Sequence, residues 1–453
     1  AQEFGRQITF SAWLSQDIID TEDKLVKLSC VIDWEAVFER LRPYYSTRGR
    51  RGLPIRLMVG LHILKHMENM SDLQCVNRLK GDLYWMYFCG VDVEALQGRY
   101  RHLDRSSMSR FRSRIGEKGF GEVEDIIREY LLEEKEIDSS EMTTDSSCME
   151  KNVAYPTDSG LLDKGRRNLV KIVEKIKEVG APGAEKMRTY SRRAKEILVD
   201  IAKLGKDRAE RIKSGTLELS SQAVHVVHKA EEVLENVDKF SKKIDFDLRK
   251  TLKLDSLAQE LSHQISLAKK VIRQSRLRFQ GVHVTNKVYS LHEPQVIVIR
   301  KGKGARPNEY GSKFNVSIDK NGYIVSHESY STNKSDAKLL KPAVRSWEKA
   351  TDKTPRQINA DRGYVQREKD KRGKLEKLRL CIPTKGSHPH PEAEKSWFKK
   401  GQSRRAGVEA VIGHLKQDHR LDRCRYTGFR GDKINLSVGA LAWNLSKYSR
   451  RAG

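Results

Sequence analysis

The chain has 453 residues, 38% of them hydrophobic, and a mean hydropathy of -0.66, enough to bury cores in two or three domains. Lys and Arg number 87 against 61 Asp and Glu, a formal charge of +26, so the surface repels itself unless a polyanion neutralises it, and nucleic acid is the first partner to consider. No apolar run approaches the ~18 residues of a spanning helix, no secretory signal is visible, and Cys30, Cys75, Cys89, Cys148, Cys381 and Cys424 show no C-x-x-C pair or zinc-finger spacing, which argues against a membrane-spanning, disulfide-stapled or zinc-finger protein.

From about Ile55 the apolar residues Leu57, Met58, Leu61, Leu64 and Met67 recur at helical spacing, and Pro54 can open that helix. Ser71 and Gln74 form a capping box before "CVNRL". "SSMSRFRSRIGEKGFGEVEDIIREYLLEE" predicts two further helices broken near Gly119 to Gly121. Residues 1–135 therefore read as an all-α basic domain, in which Arg110, Arg112 and Arg114 of "SRFRSR" are candidates to meet DNA phosphates or guanine edges, the alternative being a solvated basic face.

Residues 136–160 turn strand-compatible, and a long charged tract over 161–280 follows. Val226, Val227, Ala230, Val233, Leu234 and Val237 lie on one stripe, and Leu254, Leu257, Leu261, Ile265, Ala268 and Ile272 continue the pattern. The tract predicts a helical hairpin or bundle, either a solvated spacer or a DNA-contacting or dimerising element. After Gly281 the period changes to two, in "QVIVIRKG", "YGSKFNVSID" and "GYIVSHESYS", with "DKNG" as a turn. A helix from about Asp336, short strands at "QINADRGY" and "LRLCIPT", and terminal helices with Leu436, Trp443 and Leu445 buried complete a mixed α/β domain over 281–453. Its first strand stands before the helical tract, so the tract is an insertion. "GSHPHP" reads as a loop.

Three acids stand where a metal site can be built: Asp145 in "TTDSS", Asp361 in "QINADRG" and Glu409 on the late helix. Mg²⁺ takes oxygen ligands and leaves room for phosphate oxygens, so a few carboxylates suffice for phosphoryl transfer. Each acid alone has an ordinary reading: a cap or turn for Asp145, a turn for Asp361, a surface pair with Arg405 for Glu409. At about 100° per residue, however, Arg405 and Lys416 fall within roughly 40° of Glu409 on one helix face, placed to hold phosphates on either side of it. Gly413, one turn beyond Glu409, suggests close approach of a backbone. Asp158, in "YPTD", competes with Asp145 as first acid but reads as a turn and cap residue.

These residues resemble the DDE transposases of bacterial insertion sequences, in particular the InsH-like group. The third block of that group, Y-x2-R-x3-E-x6-K, is matched by Arg405, Glu409 and Lys416, with Gln402 in place of the Tyr. "TTDSSCMEKNVAYPTDSGLL" is similar to the first block, with Asp145, and "NADRGY" to the second, with Asp361; the likeness runs from about residue 50 to 445. The resemblance implies an α/β RNase H-like catalytic domain with a long inserted α-helical tract, preceded by an all-α N-terminal DNA-binding domain. It further implies two Mg²⁺ ions (or Mn²⁺) held by the three acids, cleavage of transposon ends followed by strand transfer, and a homodimer on double-stranded DNA at the bacterial nucleoid in the cytoplasm. A catalytically idle DNA-binding descendant of such an element is the alternative, for which Gln402 is the hint.

Overall fold

In a computed structural model, the described residues are 19–46, 48–49, 52–181, 183–184, 187–241, 248–300, 307–366, 374–384 and 390–452. Of "GSHPHP", all but His390 and Pro391 lie outside them. The helical run comprises α1 (Lys24–Val31), α2 (Trp34–Leu41), α3 (Ile55–Met67), α4 (Asp72–Leu79), α5 (Leu83–Cys89), α6 (Val93–Gln97) and α7 (Arg105–Glu133). Asp23, Asp33, Asp82 and Asp92 each accept a backbone N–H at the start of a helix, satisfying a donor that the first turn leaves unpaired. Pro54 stands just before α3, and the Ser71–Gln74 capping box forms as expected. The break expected near Gly119 to Gly121 falls instead at Gly116, whose φ of 61° and ψ of -160° interrupt α7.

The described strands form one mixed sheet: β1 (Glu141–Lys151), β2 (Ile297–Arg300), β3 (Asn308–Ile318), β4 (Ile324–Tyr330), β5 (Gln357–Asn359), β6 (Arg379–Cys381) and β7 (Arg423–Cys424). Their order is β2-β3-β1-β5-β6, with β4 also on β3 and β7 also on β1. β1 and β4 run antiparallel to β3, while β5 and β6 run parallel to β1 and to each other. Helices α12 (Leu340–Thr351), α13 (Ser396–Gln417) and α14 (Gly428–Ala452) pack on it. Leu436 and Leu445 are fully buried and Trp443 nearly so, as the terminal apolar pattern predicts.

The N-terminal helices do not stand apart as a domain ending at 135. Residues 1–152 and 297–453 form one compact unit, and a single core joins Leu28, Trp85 and Phe120 of the helices to Tyr323, Trp347 and Ile358 around the sheet. Residues 153–296 form the second unit, built from α8 (Asp158–Glu178), α9 (Ser191–Ala202), α10 (Arg208–Ser241) and α11 (Leu248–Phe279). Both apolar stripes turn inward there, with Ala230, Val233 and Leu261 fully buried. This tract is a packed bundle with its own core, and its bounds are wider than 161–280.

A buried ionic cluster ties α3, α4 and α7 to the segment before α14. Asp72 accepts from Lys65 at 2.5 Å and, bidentately, from Arg112 at 3.0 and 2.7 Å. Lys65 also donates to the Tyr426 hydroxyl at 2.8 Å, and the Tyr426 ring lies 4.6 Å from Lys65 and 4.3 Å from Arg112. Burial together with the Arg112 charge pushes the His62 imidazole down to about 3, so the neutral ring faces Arg112 through Nε2 at 3.2 Å while Nδ1 meets the Met58 carbonyl. Burial opposes ionisation of Asp72, but Lys65 and Arg112 hold its carboxyl well below the usual range. Removing one partner from such a cluster leaves a buried charge uncompensated, a loss of about 3–5 kcal/mol. Asp72→Ala is therefore expected to lower the thermal midpoint at neutral pH by that equivalent. The contribution exists above the ordinary carboxyl value and fades as pH falls below it, so wild type and variant should converge in acid melts; a gap independent of pH would refute the assignment.

Candidate active site

The register of the sheet brings the first two acids level. Thr143 pairs with Asn359 across the parallel β1 and β5, so two residues further along each chain come Asp145 and Asp361. Side chains fix that register: Asn359 donates to Thr143 Oγ1 at 3.1 Å, Thr144 Oγ1 donates to Asn315 Oδ1 at 2.7 Å, and Asn315 Nδ2 reaches the Tyr364 hydroxyl at 3.1 Å. Asp361 opens the short turn Arg362–Tyr364 and accepts from Gly363 N at 2.8 Å; Asp145 accepts from Ser146 N at 2.7 Å.

A fourth carboxylate, Asp336, joins them. It begins a single turn before α12, and its Oδ1 accepts from Ser146 Oγ and from Lys313 Nζ, both at 2.6 Å. A Cβ at Gly363 would stand 2.9 Å from Asp336 Oδ2 and 2.9 Å from Asp361 Oδ1, so the glycine leaves room for both carboxylates. Sequence reasoning missed Asp336, because "SDAKLL" has the pattern of an ordinary helix entrance; Gly363 between two acids was the available signal.

Helix α13 supplies the third predicted acid. Gly401 lets it lie close on the sheet: a Cβ there would be 2.5 Å from Asn359 Oδ1 and 2.5 Å from Cys381 Sγ. Gln402, where the resemblance expects Tyr, donates to the Cys381 carbonyl at 2.9 Å, so it pins the helix to β6. Two turns later Glu409 accepts from Arg405 at 2.7 Å, with 59% of its side chain exposed. Apart from its own helix turn, no described residue comes within 4 Å of a Cβ built at Gly413; the close approach expected there is not made by the described backbone.

Electrostatics join the four acids. Burial pushes the Asp145 carboxyl up to about 7 from 3.8, with the negative charges of Asp361, Asp336 and Glu409 adding to it against the Ser146 amide. Such oxygen-only donors, with no cation on Asp145 or Asp361 among the described residues, fit a hard divalent cation by their chemistry. As they stand, no three His, Cys, Asp or Glu side chains among the described residues are grouped to hold a metal ion.

The predicted DNA contacts divide. Arg110 is 65% exposed and bonds Ser106 and Ser107, Arg114 lies 4.7 Å from the Tyr45 ring, and both line a cleft of about 410 Å³. Arg112 is a correction: it is buried in the Asp72 cluster, its guanidinium is taken by that carboxylate, and it does not share the exposed face of Arg110. Two residues from each neighbour, it falls about 200° round the helix. Lys416 lies in the last turn of α13. Asp158 is the first residue of α8, where Thr157 is the cap, and it pairs with Arg278 at 2.5 Å inside the helical unit.

With this geometry in view, the comparisons identify the class. Residues 14–114 match a family described as a transposase domain (DUF772) and residues 381–449 match a transposase DDE domain; the chain belongs to the DDE transposases of insertion sequences. The second match spans Arg405, Glu409 and Lys416, and neither spans Asp145 or Asp361. A curated relative, an uncharacterized protein ORF8 in the nfe locus of Rhizobium meliloti, is 33% identical over 188 residues, 40% of this chain and 85% of its own length. No solved structure matches. The protein is thus a transposase acting on DNA in transposition and recombination, its family uses divalent metal, and no described helix is long and apolar enough to cross a membrane.

Two outcomes follow from the packing and charge. Gly401→Ala overfills the α13–sheet contact, a cost of about 1–3 kcal/mol, and is expected to lower both the melting temperature and the transposition frequency; full activity would show that the seat of α13 does not matter. A carboxyl raised above its unfolded value adds stability while protonated, below about pH 4, and that contribution is lost as pH climbs through about 7. Metal-free Asp145→Asn is therefore expected to match wild type near pH 4 and to be the more stable protein near pH 8, read from melting curves.

Proposed function

We propose that the chain binds insertion-sequence ends, cuts them by metal-dependent phosphodiester hydrolysis and joins the freed 3′-OH ends to target DNA. The sheet is read as RNase H-like, with Asp145, Asp361 and Glu409 as the catalytic, metal-holding acids. The carrying observation is the Asp145 carboxyl, displaced to about 7 by burial and by Asp361, Asp336 and Glu409: carboxylates gathered on a frame this basic, two of them without a cation of their own among the described residues, suit a cation shared with a phosphate. Bound as two Mg²⁺ ions, or Mn²⁺ in their place, the metal supplies charge for the phosphate oxygens and activation of the attacking oxygen.

The remaining work falls to the chain. Arg405, now on Glu409, is held there by an exposed i,i+4 pair worth only ~0.3–0.5 kcal/mol, so a phosphate can take it over. Lys416 faces the same side of α13 as a point charge. Arg110 and Arg114 grip duplex DNA beside the cleft they line. Each step is an in-line displacement at phosphorus, so one set of residues serves water in cleavage and the 3′-OH in joining. Two copies, each on one terminal inverted repeat at the nucleoid, complete the reading.

A strand-cleavage assay on the element's own ends, comparing Mg²⁺, Ca²⁺ and EDTA, tests it. Nicking is expected with Mg²⁺ and none with EDTA, and Asp145→Asn, Asp361→Asn and Glu409→Ala should each lower the rate by more than about 100-fold while duplex binding persists. Undiminished nicking by Asp145→Asn, or binding with no nicking under any metal, would sink the enzymatic reading.

A further inference from the structure

The interruption of α7 leads to a second site. At Gly116 the backbone adopts φ 61° and ψ -160°, a region that essentially only glycine enters. A Cβ there would stand 1.8 Å from Arg430 Nη2 and 2.6 Å from its Cζ, so the Arg430 guanidinium, carried by the first turn of α14, occupies the notch that the missing side chain leaves. It gains little from the protein: one long bond, Nη2 to the Ser113 carbonyl at 3.5 Å, and no carboxylate among the described residues.

The surroundings repeat that imbalance. Arg430 lines a pocket of about 250 Å³ with Ser109, Arg112, Ser113, Arg425 and Thr427. Arg425 makes no hydrogen bond or ion pair among the described residues, nor do the hydroxyls of Ser109, Ser113 and Thr427. Arg112 is answered by Asp72, but Asp72 also serves Lys65, so that buried cluster carries a surplus positive charge too. No Asp or Glu lines the pocket. One guanidinium lodged in a notch, with a second arginine and idle hydroxyls beside it and no counter-charge in the lining, makes a seat for an oxyanion.

We propose that this pocket between α7 and the start of α14 holds one backbone phosphate of duplex DNA, with Arg430 as the principal contact. This rests on the DNA-acting reading above and adds a site apart from the carboxylates and from the Arg110–Arg114 cleft. A phosphate contact positions the duplex without reading its sequence, so its signature is the salt dependence of binding.

The test is fluorescence-anisotropy titration of the full chain against duplex oligonucleotides of several arbitrary sequences over a salt series. Arg430→Gln is expected to weaken binding evenly across sequences and to make the plot of log affinity against log salt shallower by about 0.9, so that its loss shrinks about 3.5-fold between 50 and 200 mM salt. Arg430→Lys, which keeps the charge, should keep the slope. Gly116→Ala, which expels the guanidinium from its notch, should reproduce the Gln result, and the double variant should lose nothing more. An unchanged slope in Arg430→Gln, with or without a lower melting temperature, overturns the site alone. A wild-type chain with no salt-dependent affinity for any duplex overturns the reading beneath it.

Discussion

Bringing a buried carboxylate, Asp145, within reach of three others is the constraint around which this fold is arranged. Asp145, Asp336, Asp361 and Glu409 come from separate parts of the chain, and Asp145 is pushed up by its burial first, with the charges of Asp361, Asp336 and Glu409 adding to it. Such a group stays together only if other contacts hold the backbone. Here they do: the Thr143–Asn359 and Thr144–Asn315–Tyr364 bonds lock β1 between β3 and β5, and Gly401 with Gln402 seats α13 on the strands β5 and β6.

The same unit extends outward through buried charge. Lys151, at the far end of β1, donates to the carbonyls of Tyr426 and Gly428 at 2.7 and 3.0 Å and is paired with Asp432. Glu124 of α7 accepts from His327 of β4 at 2.8 Å and from Ser437 of α14 at 2.7 Å. With the Asp72 cluster, these contacts explain why the N-terminal helices share the core of the sheet instead of forming a domain of their own. Buried pairs of this kind gain little net stability over apolar packing but are costly to separate. They fix which helix meets which strand, so the basic face of α7 and the acids of the sheet belong to one frame.

What the sequence made legible follows from the range of each cause. Period-two runs for β2, β3 and β4, the Ser71 capping box and the apolar stripes of α10 and α11 depend on neighbours a few residues away, and all appear where their patterns lie. Asp145, Asp361 and Glu409 stand out in the sequence because strand ends and a helix face frame them, and the structure brings Asp361 and Glu409 within electrostatic reach of Asp145. The misses have distant causes. Which of the glycines in α7 breaks it depends on Arg430, over three hundred residues away. Asp336 looks like any polar residue before a helix until Lys313 and Ser146 fold against it. Arg112 is the exception, since helical periodicity alone separates it from Arg110 and Arg114.

The charge balance at the site locates its deficit. Asp336 is answered by Lys313, whose ammonium is almost wholly buried and also held by the Lys334 carbonyl at 2.8 Å, so that pair is a fixed part of the wall. Glu409 is answered by Arg405 in an exposed pair that is weak enough to exchange. Asp145 and Asp361 have only backbone amides, from Ser146 and Gly363, and no cation among the described residues. An amide dipole offsets part of a carboxylate's charge but not all of it, so burial, with the neighbouring acids adding to it, raises Asp145 to about 7 in spite of its hydrogen bond. The unmet negative charge therefore lies on the two acids that the parallel register of β1 and β5 sets level.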